Sequence, residues 1–86
     1  MSIIHRPLKE IAKDIYANWP KMSPYAQPYA EAMLELDKIE DMYYQDSAKS
    51  VVMYFLSNAG TWRGPEARRI KKELNDILKK AGQVRG

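Results

Sequence analysis

Residues 46–74 read DSAKSVVMYFLSNAGTWRGPEARRIKKEL and contain the two clearest amphipathic patterns of the chain. In the first half, apolar residues recur at i, i+3, i+4, i+7, i+8 and i+11, the spacing of a helix buried along one face. These residues are Ala48, Val51, Val52, Phe55, Leu56 and Ala59. Asp46 suits the N-cap of this helix and Gly60 suits a left-handed cap after it. We therefore predict a central helix over residues 46–59.

The second half of this stretch predicts another helix, over residues 65–81. Pro65 suits a first helical position, where no backbone N–H is required. The apolar stripe that follows consists of Ala67, Ile70, Leu74, Ile77, Leu78 and Ala81. Lys79 and Lys80 suit the last turn, because cations are favourable at a helix C-terminus, and Gly82 suits its end.

Two further helices are predicted upstream, over residues 7–18 and 28–39. Apolar residues recur at helical spacing in each: Leu8, Ile11, Ala12, Ile15 and Trp19 in the first, and Tyr29, Ala32, Met33, Leu36 and Ile39 in the second. Pro7 suits the start of the first, and Pro20 ends it. Pro24 and Pro28 frame a structured turn, with Pro28 opening the second helix; a start at Ser23 would leave Pro28 inside the helix. Residues 40–45 form an aromatic-rich connection. Four short helices with short links predict an all-α fold, a compact helical bundle forming a single domain over residues 1–86.

Composition places the chain among small globular proteins. It has 86 residues, 45% of them hydrophobic, and no cysteine, which excludes disulfides and thiol catalysis. The first residues lack the apolar stretch of a signal peptide. The longest apolar run, residues 51–56, is too short to span a bilayer. We expect a cytoplasmic protein that does not enter a membrane.

Charge is unevenly distributed along the chain. Residues 63–86 contain eight Arg and Lys against three Asp and Glu, whereas residues 1–62 contain six against eight. This asymmetry points to an anionic partner, or to complementary packing within or between chains. In the latter case the acidic second helix of one chain would meet the basic fourth helix of another, giving a homo-oligomer.

No pattern of catalytic or metal-binding residues is present in the sequence. His5 is the only histidine and has no plausible serine or cysteine partner nearby. An acidic group could offer oxygen ligands to a hard cation, but it lacks ligand spacing around a glycine turn, which favours a solvated face. This group is Asp37, Glu40, Asp41 and Asp46. Phosphate loops and dinucleotide motifs are also missing. We expect no enzyme activity, no metal and no cofactor.

The fourth helix has the strongest functional pattern. Arg68, Lys72, Asn75 and Lys79 recur at i, i+4, i+7 and i+11, flanked by Arg69, Lys71 and Lys80 and preceded by Arg63. Such a face can neutralise several phosphates. Three acids are interleaved, however, and local pairs such as Arg69 with Glu73 or Asp76 with Lys80 would make it ordinary solvated surface. Helices three and four could also form a helix-turn-helix, because the link 61–64 is about the right length for its turn. The proline and the carboxylate at the start of the second helix disfavour phosphate contact there.

Aromatic residues add a second candidate surface. Trp62 and Arg63 are of the types enriched at binding hot spots, although Trp62 equally suits packing between two helices, which we favour. Tyr43 and Tyr44 lie in the predicted connection, where tyrosine suits an interface or ligand stacking as well as a thin core. The candidate binding surface is Trp62, Arg63, Arg68, Arg69, Lys72, Lys79, Tyr43 and Tyr44.

Residues 46–74, together with LKEIAKDIYANW (8–19) and PYAEAMLELDKIEDMYY (28–44), resemble a group of small uncharacterised helical proteins of tailed bacteriophages, notably those infecting actinobacteria. The resemblance covers most of the chain. It implies a phage accessory protein acting inside the infected bacterium, and it implies no catalytic residue.

The expected function is therefore that of a non-enzymatic binding protein. It would bind a host protein or sequester a small anionic ligand such as a signalling nucleotide. A DNA-binding regulator that uses the basic fourth helix is the alternative, and a structural or assembly protein of the virion is a further one.

Overall fold

The chain folds as an all-α bundle, as its sequence predicts. A computed structural model describes residues 6–43 and 46–83, and the side chains of these except 43, 46 and 81–83. The elements are α1 (Leu8–Asn18), α2 (Gln27–Met33), β1 (Met42–Tyr43), β2 (Asp46–Ser47), α3 (Ala48–Ser57) and α4 (Pro65–Gln83). Four helices were predicted, and each is present, with α2 the most altered.

Helix α1 matches its predicted range of 7–18 to within one residue. Its buried residues are Leu8, Ile11, Ala12 and Ile15, the predicted stripe. Two of its first backbone N–H groups, which no residue of the helix itself can satisfy, donate to carbonyls outside it. Leu8 N donates to Asp37 O at 2.9 Å and Lys9 N to Leu36 O at 2.8 Å. The segment after α2 thus caps the start of α1.

That capping explains why α2 is shorter than predicted. The helix was expected over 28–39 but covers Gln27–Met33. After Met33 the chain tightens into i→i−3 hydrogen bonds, the last from Leu36 N to Met33 O. The carbonyls of Leu36 and Asp37 are then used by α1, so they are not available for a longer α2. The start agrees with the predicted turn, because the Ser23 carbonyl accepts from Ala26 N and Gln27 N.

The connection after α2 contains a minimal β ladder that the sequence did not predict. Strands β1 and β2 pair antiparallel, with Met42 opposite Ser47 and Tyr43 opposite Asp46. Because Asp46 belongs to this ladder, it is not the N-cap of α3, and the predicted cap is wrong. Ser47 takes that position, and its Oγ accepts a hydrogen bond from Ser50 N at 3.1 Å.

Glycine positions at the helix ends also differ from the prediction. Asn58 ends α3: its backbone N–H donates to the carbonyls of Tyr54 and Phe55, and its side-chain amide donates to Tyr54 O. No left-handed residue is therefore needed there, and Gly60 does not have a positive φ. Gly64 instead adopts φ +111°, directly before α4. Helix α4 continues through Gly82 to Gln83, so that glycine does not end it.

The helices close a ring around one core. Helix α1 packs on α2, α2 on α3, α3 on α4, and α4 returns to α1. Phe55 of α3 is fully buried and lies edge-on to Trp19 and Trp62, with ring centroids 6.2 and 6.5 Å away. All buried side chains of the described residues are apolar. The charged residues therefore lie on the outside of the ring, where the candidate site must be sought.

Candidate functional site

Trp62 belongs to the core. It is only 4% exposed, and it stacks on Trp19 with centroids 5.1 Å apart and an interplanar angle of 4°. The interpretation as a packing residue between two helices is therefore confirmed. Trp62 is removed from the candidate binding surface, because a buried indole cannot contact a partner without opening the core. Arg63, its neighbour, is exposed.

The tyrosines whose side chains are described are exposed or half-buried, and none of them is fully buried. Tyr54 of α3 is 54% exposed and its ring lies 5.5 Å from that of half-buried Tyr29 on α2. Tyr25, in the turn before α2, is more exposed still. Of the two predicted surface tyrosines, Tyr43 lies in β1 with its side chain undescribed, and Tyr44 lies outside the described residues. His5 lies outside them as well.

The acidic cluster has a structural role where its side chains are described. Asp41 Oδ2 accepts hydrogen bonds from the backbone N–H groups of Lys38 (3.0 Å) and Asp37 (3.1 Å), and these bonds lower the pKa of the Asp41 carboxyl. Asp37 itself pairs with Lys9 at 3.0 Å. In the part of the chain that is described, no three His, Cys, Asp or Glu residues come together as a metal site would require.

The predicted stripe on α4 is present on the outer face of the helix. Arg68, Lys72, Asn75 and Lys79 are all exposed. Lys72 Nζ lies 2.9 Å from Asp76 Oδ2, although the Lys72 side chain remains 77% exposed. Within residues 6–43 and 46–83, the side chains of Arg68 and Lys79 form no ion pair. We call these four residues the basic stripe.

Glu66 and Glu73 of α4 lie on another flank of the helix, and Glu73 faces the segment before α1. Arg6, just before α1, donates to both oxygens of Glu73, at 2.7 and 3.1 Å, and to Asp14 Oδ2 at 3.1 Å. Arg69 also reaches Asp14 Oδ2, at 3.1 Å, and donates to Glu66. We call these five residues the α1–α4 ion-pair network.

Two details of this network correct the expected pairing. Arg69 bonds to Glu66 and Asp14 and not to Glu73, whose carboxylate is taken by Arg6. Arg69 is consequently a structural residue of the network as well as a member of the candidate surface. The sequence offered no signal for this arrangement, because Arg6 and Glu73 are 67 positions apart.

The network shifts the titration of its members. Burial alone would raise the pKa of Asp14, but hydrogen bonds and ion pairs with Arg69 and Arg6 outweigh it, and the pKa is lowered overall. The bonds to Glu73 raise the pKa of Arg6 above its ordinary value, and those to Glu66 do the same for Arg69. Asp14, Arg6 and Arg69 are thus held in their charged forms at neutral pH.

Helix geometry explains why the acids and the stripe separate. Each residue advances about 100° around an α-helix. On that spacing the stripe occupies a sector of about 60°, and the three acids of α4 (Glu66, Glu73 and Asp76) occupy another of about 80°, roughly a third of a turn away. The stripe sector therefore contains no acid, whereas the other sector contains Arg69 and Lys80 beside the three acids. Glu73 pairs with Arg6, while Asp76, at the edge nearest the stripe, pairs with Lys72.

Lys71 connects the other side of the stripe to the α3–α4 loop. Its Nζ donates to the Trp62 carbonyl at 2.7 Å. Burial lowers the pKa of Lys71, and the nearby Arg63 guanidinium lowers it further. Two cations therefore lie close together where the loop meets α4, next to the first turns of the stripe.

A cavity of about 190 Å³ lies elsewhere, between the start of α1, residues 37–40 and α4. It is smaller than typical ligand sites, which enclose about 300–1,000 Å³. Arg6, the strongest anion-binding group in its lining, is already engaged by Glu73 and Asp14. The cavity thus offers less to an anionic ligand than the basic stripe does.

Comparison of the chain with protein-family models, with curated proteins and with solved structures found no match. Among the helices that the structure describes, none has the length and apolar character needed to cross a bilayer. The functional argument therefore depends on the geometry of the chain itself.

Proposed function

We propose that the chain is a non-enzymatic binding protein that holds an anionic partner on the basic stripe of α4. In keeping with the resemblance of its sequence to small phage proteins, we place this activity in the cytoplasm of an infected host cell. The observation that carries the proposal is the stripe itself, in which Arg68 and Lys79 are exposed to solvent and form no ion pair within the described part of the chain.

The stripe has the properties that contact with a polyanion requires. Arg68 and Lys79 are eleven positions apart, about 16 Å along the helix axis at about 1.5 Å per residue. Neither is neutralised by an ion pair in the described structure, so each can replace a counterion on the partner. Packing of α4 on both α1 and α3 holds the helix rigid, which reduces the entropy lost when a partner binds.

The test is the effect of removing stripe cations on binding to a polyanion. A fluorescently labelled random-sequence DNA duplex serves as the probe, and its anisotropy is measured at several salt concentrations. Arg68→Ala and Lys72→Ala should each weaken binding and reduce the slope of log K against log salt by about one, as the loss of one phosphate contact would. Both sites are exposed, so helicity measured by circular dichroism should be unchanged.

Lys13→Ala is the matched control, because Lys13 is an exposed helical lysine of α1 that pairs with Glu10 at 3.3 Å. It removes the same charge from a different face and should alter binding far less. Equal effects of Lys13→Ala and Arg68→Ala would mean that only net charge matters, and would contradict the proposal.

A DNA-binding regulator is the second candidate function. The basic stripe lies on the outer face of α4, the second helix of the α3–loop–α4 unit. A helix that enters a major groove requires such an exposed basic face, which favours this candidate. This candidate requires tighter binding to one duplex sequence than to random duplex, which selection of bound sequences from a random pool would detect.

A further inference from the structure

Helix α3, which packs on α4, belongs to a segment without acids. No Asp or Glu occurs between Ser47 and Pro65, so α3 and the loop after it contain no acid at all. The same segment contains Lys49 and Arg63. Since α3 packs on α4, this acid-free surface adjoins the flank of α4 opposite to the α1–α4 ion-pair network. A polyanion lying on the stripe could extend over α3 without meeting a carboxylate of that segment.

Helix α3 also has exposed apolar and aromatic side chains. Met53 is 50% exposed and Tyr54 is 54% exposed. The Tyr54 ring is steadied by Tyr29 of α2, with centroids 5.5 Å apart and planes inclined by 31°. The contact with Tyr29 already restricts the Tyr54 ring, while about half of Tyr54 remains exposed to solvent. The ring therefore loses little further conformational freedom when a second planar group stacks on it.

The two features lie on either side of α3. The tyrosine pair bridges α3 to α2, and the basic stripe lies on α4. A ligand that uses both must present negative charges at intervals and also exposed planar apolar groups. Single-stranded nucleic acid has this chemistry, because its phosphates repeat along the chain and its bases are free to stack on aromatic rings. In a duplex the bases are stacked on each other and are not available to Tyr54.

We propose that the anionic partner is single-stranded nucleic acid, with its phosphates on the basic stripe and a base stacked on Tyr54. This inference rests on the proposed function of the stripe and adds the class of ligand. DNA and RNA share the chemistry, so comparing the two strands of equal sequence decides between them.

The experiment uses the full chain and three labelled probes of one mixed sequence: single-stranded DNA, single-stranded RNA and the DNA duplex. The single strands should bind more tightly than the duplex. Tyr54→Ala should weaken single-strand binding about tenfold, the loss expected for one stacked base, and leave duplex binding unchanged. Tyr54→Phe is the matched control, because it keeps the ring and should retain the affinity. Arg68→Ala should weaken binding to every probe.

The outcomes separate the two proposals. The choice of ligand would be overturned if the duplex bound as tightly as the single strands. It would also be overturned if the Tyr54→Ala and Tyr54→Phe variants bound single strands equally. Either result would leave the proposed function of the stripe standing. Failure of Arg68→Ala to weaken any probe, or no binding at low salt, would overturn the proposed function as well. If Tyr54→Ala does not fold, Tyr54→Leu tests the same point, because it keeps apolar bulk without a stacking ring.

Discussion

At the scale of single residues, the two glycines of the α3–α4 loop differ in what they allow the backbone to do. Gly64 has φ +111°, a conformation that L side chains rarely adopt, whereas Gly60 does not have a positive φ. A Cβ at either position would have nothing within 4 Å. Backbone strain alone therefore distinguishes them, since neither substitution would cause a clash.

This contrast gives a matched pair of substitutions. We expect Gly64→Ala to lower the free energy of unfolding by about 1–2 kcal/mol, because it forces a side chain into the left-handed half of backbone space. Gly60→Ala should be neutral or slightly stabilising, since alanine restricts the unfolded chain without strain in the folded one. Urea denaturation of both variants measures the difference. Equal losses would contradict the assigned conformations.

Predictions for single residues were correct where the spacing of apolar residues determined them. They were wrong where a residue that suits one element belongs to a neighbouring element. The buried faces of α1 and α3 follow the spacing of their apolar residues, and both were predicted. Asp46 has the correct chemistry for an N-cap, but pairing with Tyr43 in the β ladder gives that role to Ser47. Nothing in a local pattern shows which of two adjacent capping residues is taken by a neighbouring strand.

At the scale of elements, the α1–α4 ion-pair network connects the first and last helices of the bundle. Asp14 is its centre, because its carboxylate receives Arg6 from the start of α1 and Arg69 from α4. It also accepts from the Asn18 side chain at 2.7 Å. The Asp14 side chain is mostly shielded from solvent, so these contacts are screened less than surface pairs.

The lowered pKa of Asp14 predicts how stability depends on pH. An unfolded aspartate titrates near about 3.9, and the folded value is lower. The carboxylate therefore stabilises the fold above the unfolded value, and that contribution disappears as pH falls through the folded value. Asp14→Asn should lower the free energy of unfolding by about 1 kcal/mol at pH 7. The difference in the free energy of unfolding between the variant and the parent should disappear as the pH falls below about 4.

Urea denaturation of the variant and the parent across this pH range measures the difference in their free energies of unfolding. Glu10→Gln is the control, since the exposed pair of Glu10 with Lys13 should contribute less than about 0.5 kcal/mol. If Asp14→Asn lowered the free energy of unfolding by the same amount at neutral and acidic pH, this would contradict the claim that the charged Asp14 carboxylate stabilises the fold through the network.

Helix boundaries show the limit of sequence reasoning at this scale. The apolar stripe through Leu36 and Ile39 predicted a longer α2, and Leu36 is indeed buried. Its carbonyl, however, serves Lys9 of α1, a partner 27 positions away that no local pattern reveals. Burial was thus predicted correctly from periodicity, while the end of the helix depended on a tertiary hydrogen bond.

At the scale of the whole molecule, the ring of four helices sorts charge between two sides. On one side, Arg6 and Asp14 engage Glu73 and Arg69 of α4, and on the other side α3 and its following loop contribute no acid. The exposed basic stripe was predicted from its spacing alone. The pairing of Glu73 with Arg6 and of Arg69 with Asp14 was not predicted, because it depends on tertiary contacts between α4 and α1 with the residues before it. For Trp62 the sequence favoured packing between two helices, and the structure confirms it.

The basic stripe is the central claim, and the salt dependence of polyanion binding tests it most directly. We would titrate the unmodified chain into labelled random-sequence DNA duplex and follow anisotropy at several salt concentrations. Three cations of the stripe predict binding that weakens with salt, with a slope of log K against log salt of about −2 to −3. No binding even at low salt, or an affinity that salt does not change, would contradict the account.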